Sequence, residues 1–267
     1  ACYIPTFNEL SVLIGLFCLK NFRLTYRNLS KQLCISAQPG KTGQKILSRC
    51  DLCLIQEVRD AKGEAIPTLV KDLNSFDKSH AYTYVETIKY YTVVKDFVLV
   101  GQHTCPKTAM KEIDELYTVF NGICKKWKTE NVVILGDLNA ACSYITIKGF
   151  RAVRLRSDPK FRWLIGDEQD TTVRQKTHCA YDRIVIHGRE MISGIVPDSA
   201  KPFNFKEEFH LTEDEALEVS DHFPVEVDLK PIHRYLLCTC VRIMLFSFLI
   251  CLTCQVYRLS WQRRNVH

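Results

Sequence analysis

The sequence predicts a mixed α/β fold, and three observations carry that prediction. Short apolar runs of strand length recur along the chain, as in "CDLCLIQEV", "KDFVLVGQH" and "NVVILGDLNA". Other stretches place apolar residues at helical spacing. The clearest is "TAMKEIDELYTVFNGICKKW", where Met110, Ile113, Leu116, Tyr117, Phe120 and Ile123 share one face. Polar and charged groups gather where the apolar runs stop.

Taken in order, the first apolar run is "LSVLIGLFCL" at 10–19, too short to span a bilayer and lacking the basic leader of a signal peptide. It reads as a buried strand or helix. From about Ile46 the pattern is regular. "CDLCLIQEV" is a buried strand ending in polar residues, "IPTLVKDLNSF" a helix, and "KDFVLVGQH" a strand ending in a histidine. The long amphipathic helix follows, then "NVVILGDLNA", a strand with an acid and an amide at its end. "CAYDRIVI" and "HFPVEVDL" are two further strands, and "TEDEALEVS" is a short capped helical turn between them. The run "YLLCTCVRIMLFSFLICLTCQVY" is long enough to cross a membrane, is interrupted only by Arg242, and is followed by the basic "RLSWQRRNVH". It predicts a membrane-associated tail. The chain therefore divides into an N-terminal segment 1–45, one domain over 46–231 and an apolar tail over 232–267.

Composition narrows the class. Hydrophobic residues make up 46% and charged residues 25%, an ordinary globular composition for which disorder is not the default. The formal net charge of +6 favours a polyanionic partner, though only weakly. Of 13 cysteines, Cys238, Cys240, Cys251 and Cys254 lie in the tail. Cys50 and Cys53 have CxxC spacing, but no second pair accompanies them, so they read as small buried residues. No Gly-rich phosphate loop and no serine elbow is present.

The polar groups at the strand ends form the candidate site: Glu57, His103, Asp137 with Asn139, Asp182, and Asp221 with His222. Each alone is an ordinary turn residue or cap. Together they follow the habit of α/β proteins, which present their chemistry at strand ends and adjoining loops. Carboxylate and amide oxygens suit a hard cation such as Mg²⁺ or Ca²⁺. A histidine beside a carboxylate suits a base that activates water. The combination points to metal-assisted hydrolysis of a phosphate ester.

The segments "QEVRD", "GDLNAACSY", "RWLIGDEQDTTV", "THCAYDRIV", "VPDSAKPFNF" and "SDHFPVEV" resemble, in order, the signature segments of the deoxyribonuclease I family. "GEAIPTLVKDLNSFD" and the apolar tail resemble its membrane-tethered deoxyribonuclease I-like 1 branch. The resemblance implies a four-layer sandwich of two packed, mostly antiparallel sheets flanked by helices. It implies a Mg²⁺- and Ca²⁺-dependent endonuclease acting on double-stranded DNA, in the secretory pathway, secreted or membrane-associated. By the same resemblance Glu57 would hold the catalytic metal, with Asp221 at the metal site and Asn8 assisting. His222 would be the general base, oriented by Asp182. Asp137 would protonate the leaving oxygen or position the nucleophile, Asn139 would hydrogen-bond the scissile phosphate, and His103 would assist as a general acid. Arg59 would reach the DNA minor groove. Cys142 and Cys179 would form a disulfide, and Asp170, Thr172 and Thr177 would bind a structural Ca²⁺.

The chain departs from that pattern in three places. The stretch over 81–100 is shorter than the family's and lacks the carboxylate expected to orient His103. Missing strands there would open a sheet edge. The stretch from Asn8 to Glu57 is longer than the family's, and the loop from Asp170 to Thr177 has one extra residue. Two other readings therefore stand beside the nuclease: a catalytically impaired deoxyribonuclease-like binding protein or splice form, and a sister phosphoesterase acting on lipid or inositol phosphates.

Overall fold

The structure is a computed structural model that describes residues 12–23, 41–59, 65–77, 81–84, 94, 97–230, 241–248 and 255–259. In chain order the first half contains β1 (Val12–Arg23), α1 (Lys41–Leu47), β2 (Leu52–Arg59), α2 (Ala65–Phe76), β3 (Ala81–Tyr84), β4 (Phe97–Gly101), α3 (Ala109–Trp127) and β5 (Val132–Asp137). There follow α4 (Ile147–Ala152), α5 (Arg154–Ser157), β6 (Arg162–Trp163), β7 (Asp182–His187), α6 (Arg189–Gly194), β8 (Lys201–Pro202), α7 (Phe205–Glu208), α8 (Glu213–Val219) and β9 (Val225–Leu229). The strands β10 (Val241–Phe248) and β11 (Gln255–Leu259) come last.

The strands form two sheets, ordered β3-β10-β2-β1-β9-β8 and β11-β4-β5-β7-β6. Among the described residues antiparallel pairings outnumber parallel ones, five to four. Successive side chains of a strand face opposite sides, and this sorts the apolar residues into layers. Leu52 and Leu54 of β2, Leu99 of β4, Val133 and Leu135 of β5, Ile184 and Ile186 of β7, and Val225 and Val227 of β9 share one core between the sheets. The alternate residues Cys53 and Ile55 pack outward with Leu69, Leu73, Phe205 and Ala216 of the helices α2, α7 and α8. On the far side Val98, Val100, Val132, Ile134 and Val185 pack with Ile113, Leu116 and Phe120 of α3. Helices, sheet, sheet and helices make four layers. Strands covered on both faces read as continuous apolar runs, which is why the sequence shows runs here and not alternation. Truncating a residue between the sheets, such as Leu135→Ala, costs roughly 2–5 kcal/mol.

The predicted helices lie where the sequence places them. The turn over "TEDEALEVS" is α8, and its capping box is complete: Thr212 accepts from the Glu215 backbone while the Glu215 carboxylate accepts from Thr212. Residues 12–19 of the first apolar run belong to β1, and Cys50 and Cys53 are buried thiols outside any disulfide among the described residues.

In the tail, residues 241–248 pair as a strand with both β2 and β3, and 255–259 pair with β4. No helix among the described residues is long and apolar enough to cross a membrane. A sheet edge presents unpaired backbone donors and acceptors, and an apolar run with Val, Ile and Phe is suited to pair there.

Candidate active site

The chemistry collects along one border of the two sheets. The strands β2, β4 and β5 end there, and the antiparallel strands β7 and β9 begin there. Glu57, His103, Asp137 and Asn139 thus come from strand ends, whereas Asp182 and His222 come from strand beginnings. This corrects the simple picture of strands that stop on polar groups; antiparallel pairing brings a start beside an end. Asp137 and Asp182 are direct partners in the β5–β7 register. Gly136, just before Asp137, has φ of +156°, and a Cβ there would lie 1.7 Å from the Gln102 carbonyl oxygen. Only glycine allows β4 and β5 to close that tightly at the site.

Three groups form the centre. His222 Nδ1 lies 2.7 Å from Asp182 Oδ2 and 4.0 Å from Asp137 Oδ2. His103 Nε2 approaches Asp137 Oδ2 from the other side at 3.4 Å. Ligand atoms of Asp137, Asp182 and His222 all lie within 4.8 Å of one another, close enough to hold a metal ion. Burial of Asp137 and the adjacent Asp182 charge push its carboxyl up to about 6, against the pull of His222 and His103. Burial also opposes charge on His222. The attraction and hydrogen bond of Asp182, with Asp137 and Asp221 behind them, outweigh it and raise the imidazole to about 10. Two buried carboxylates beside one histidine make a negative field that would favour a divalent cation close by.

The loops hold these groups in place. Asn139, with φ of +47°, donates its side-chain amide to the Thr104 carbonyl at 3.0 Å and its backbone N–H to Asp137 at 2.9 Å. Asp170 accepts from the Thr172 backbone N–H and hydroxyl and from the Cys179 N–H, and meets His178 Nδ1 at 2.9 Å. The Thr172 hydroxyl is also 2.5 Å from the Thr177 carbonyl. Those hydrogen bonds hold the Asp170 carboxyl below its usual range although burial opposes them. Cys142 and Cys179 are joined in a disulfide.

A model of the Endonuclease/Exonuclease/phosphatase family matches residues 36–222. The chain belongs to that family. Deoxyribonuclease gamma of Mus musculus is 40% identical over 236 residues, covering 70% of this chain and 76% of its own length. Deoxyribonuclease-1-like 1 of Chlorocebus aethiops is 40% identical over 253 residues, covering 78% of this chain and 82% of its own. The human deoxyribonuclease-1-like 1 is 39% identical over the same span. These relatives place the chain in the deoxyribonuclease I group. The two branches match at equal identity, the 1-like 1 match reaching over more of the chain. Its 253 aligned positions exceed what 78% of 267 residues can supply, so part of the relative has no counterpart here. That agrees with a shortened chain.

Within this endonuclease/exonuclease/phosphatase domain, the structure brings together His103, Asp137, Asn139, Asp182 and His222, with Asp221 adjoining through the backbone bond from Val173 to its carbonyl. His103, expected to lack its carboxylate, rests against Asp137 instead. Glu57 and Arg59 lie at the end of β2, with side chains outside the described residues, as is all of Asn8.

Four supporting residues escaped the sequence. Gln56 accepts from the Asp137 backbone N–H at 3.1 Å and so joins β2 of one sheet to β5 of the other. Thr171 accepts from the N–H groups of Tyr181 and Asp182. Ser220 accepts from the His222 N–H, and the Tyr181 ring stacks on the His222 ring at 5.8 Å. Gln56 carried the one available signal, a buried polar residue in an apolar strand beside Glu57. The others lie beside candidates but have types common in loops.

Proposed function

We propose that the chain is a divalent-metal-dependent endonuclease that hydrolyses phosphodiester bonds of double-stranded DNA. The observation that carries this reading is the His222–Asp182 pair at 2.7 Å, set against the buried Asp137 at the border where both sheets end. The deoxyribonuclease relatives support DNA as the substrate. Asp182 occupies Nδ1 and fixes the ring's tautomer; with a bound cation offsetting the carboxylate field that lifts the imidazole to about 10, Nε2 would be left to take a proton from water. Asp137, whose carboxyl burial and the Asp182 charge push up to about 6, serves the leaving oxygen together with His103. Asn139 steadies the phosphate, and Arg59 contacts the minor groove.

Glu57 and Asp221, with Asn8 assisting, are the residues assigned to hold Mg²⁺. Held there, the cation would supply positive charge against the phosphate. Asp170, Thr172 and Thr177 are assigned to Ca²⁺, a reading supported by the convergence of a carboxylate, a hydroxyl and a carbonyl in one loop. The Cys142–Cys179 disulfide supports an oxidising, secretory location.

The test is plasmid nicking by the purified full chain with Mg²⁺ and Ca²⁺, with and without chelator. Nicking that requires the cations and disappears in His222→Asn is the expected result. Intact plasmid under all conditions, with a folded chain that still binds DNA, would favour the non-catalytic alternative; nicking by His222→Asn would falsify the assignment of the base.

A further inference from the structure

Arg183 is the largest of the fully buried side chains among the described residues, and it follows Asp182 directly in β7. A guanidinium buried to 1% exposure is tolerated only when its donors are satisfied. Here they are satisfied by three separate loops. Nε donates to the Ala180 carbonyl at 2.8 Å, Nη1 to the Ile165 carbonyl at 2.8 Å, and Nη2 to the Ala140 carbonyl at 3.0 Å. Asp167 completes the set with an ion pair to Nη1 at 2.9 Å.

Those anchor points are specific. Ala140 follows Asn139, and Ala180 lies two residues before Asp182. Ile165 opens the loop that leads to Asp170 and Thr171, and Thr171 in turn holds the Asp182 N–H. The disulfide between Cys142 and Cys179 ties two of the same loops covalently. Arg183 is a second, non-covalent tie between them, with a reach to the third loop that the disulfide lacks.

We propose that Arg183 is a positioning residue of the active site, its guanidinium setting the spacing of the loops that carry Asn139 and Asp182. The proposal rests on the nuclease reading for its effect on rate, but its structural content does not. Lysine in its place offers donors from a single point and cannot span three carbonyls. Released loops would displace Asn139 relative to the Asp182–His222 pair.

Arg183→Lys and Asp167→Asn in the full chain test this, by nicking kinetics, thermal melting and amide hydrogen exchange. For Arg183→Lys, kcat falls ~30-fold while KM changes little, within the ~10²-fold that a misplacement of about 1 Å can cost. The midpoint of its pH–rate profile also moves, which simple loss of folded enzyme would not cause. Amides over 138–146 and 177–183 exchange at least ~10-fold faster, while those of β4 and β5 keep their protection. Asp167, whose side chain is 55% exposed, is one of four anchors, so Asp167→Asn folds and shows the same pattern at about a third of the size. A folded Arg183→Lys with unaltered loop exchange, or with kcat within twofold of the parent, overturns the proposal. If Arg183→Lys does not fold, unaltered exchange and kcat in Asp167→Asn overturn it equally. A parent chain that cuts no DNA would defeat the nuclease reading, and the exchange data would still decide the role of Arg183.

Discussion

Two histidine–aspartate pairs lie on either side of the bridge between Thr172 and His222, and their contact geometry is nearly the same. His222 meets Asp182 at 2.7 Å, and His178 meets Asp170 at 2.9 Å. Their surroundings differ. The side chains of His222 and Asp182 are 18% and 2% exposed, those of His178 and Asp170 74% and 31%. Away from water, attraction across the same gap is several times stronger. The buried pair lifts His222 to about 10 against the cost of burying its charge. The open pair is screened, and pairs of that kind contribute little. Burial works against the Asp170 charge, and the Thr172 hydroxyl and N–H, with His178 and the Cys179 N–H behind them, hold its carboxyl low. One residue combination thus makes a dry, strongly coupled pair in one place and an open loop tie in the other, and burial decides which.

The sharpest way to break this comparison is substitution at each pair. Asp182→Asn keeps the shape of the carboxylate and removes its charge; nicking should fall ~10³-fold or more, as for loss of a base's orienting partner. Asp170→Asn should lower it less than ~10-fold, since Asp170 is assigned to calcium and not to the reaction. Equal losses in plasmid nicking would show that the two pairs do not differ as described.

Next in size is the bond that joins the two regions. Opening the Cys142–Cys179 link with the double Cys→Ser variant removes a 37-residue closure, worth about 4 kcal/mol by chain entropy. A denaturant midpoint that does not move would contradict it.

Calcium should act on one pair's surroundings more than the other's. At a hundredfold excess over its dissociation constant, Ca²⁺ should stabilise the parent by about 2.7 kcal/mol, and Asp170→Ala should lose that gain. A full thermal shift in the variant would place calcium elsewhere.

The finest distinction lies in stability against pH for chelator-treated protein. His222, raised from 6.5 to about 10, contributes stability that is complete below pH 6.5 and fades as pH climbs to about 10. Asp170, lowered from 3.8, contributes stability that is complete above that value and fades as the medium grows more acid. Asp137 opposes the carboxylate trend, its contribution present below 3.8 and lost as pH rises through about 6. Thermal melts should therefore show an alkaline loss that His222→Asn removes and an acid loss that Asp170→Asn removes. Reversed assignments would undo the argument from burial.

Much of this was legible before any coordinates. The strands β2, β4, β5, β7 and β9, the long helix α3 and the capped helix α8 all stand in the sequence, because period and capping are local properties. The site residues were legible as types gathered near strand boundaries. The support was not. Gln56, Thr171 and Ser220 act through contacts to residues distant in the chain or to loop backbone. Nor was the pairing of tail residues 241–248 and 255–259 with β2, β3 and β4, since pairing partners lie far away in the chain.

By itself the sequence determined which residues are apolar, where helices start and which chemical groups exist near strand boundaries, since these depend on neighbours within a few positions. Only the tertiary structure decided that Asp137 and Asp182 stand opposite each other in register, that His222 joins one aspartate and His178 another, and that the first pair is dry. The physical reason is that spacing across sheets and exclusion of water belong to the packed molecule, and those two quantities set how strongly a carboxylate acts on a histidine.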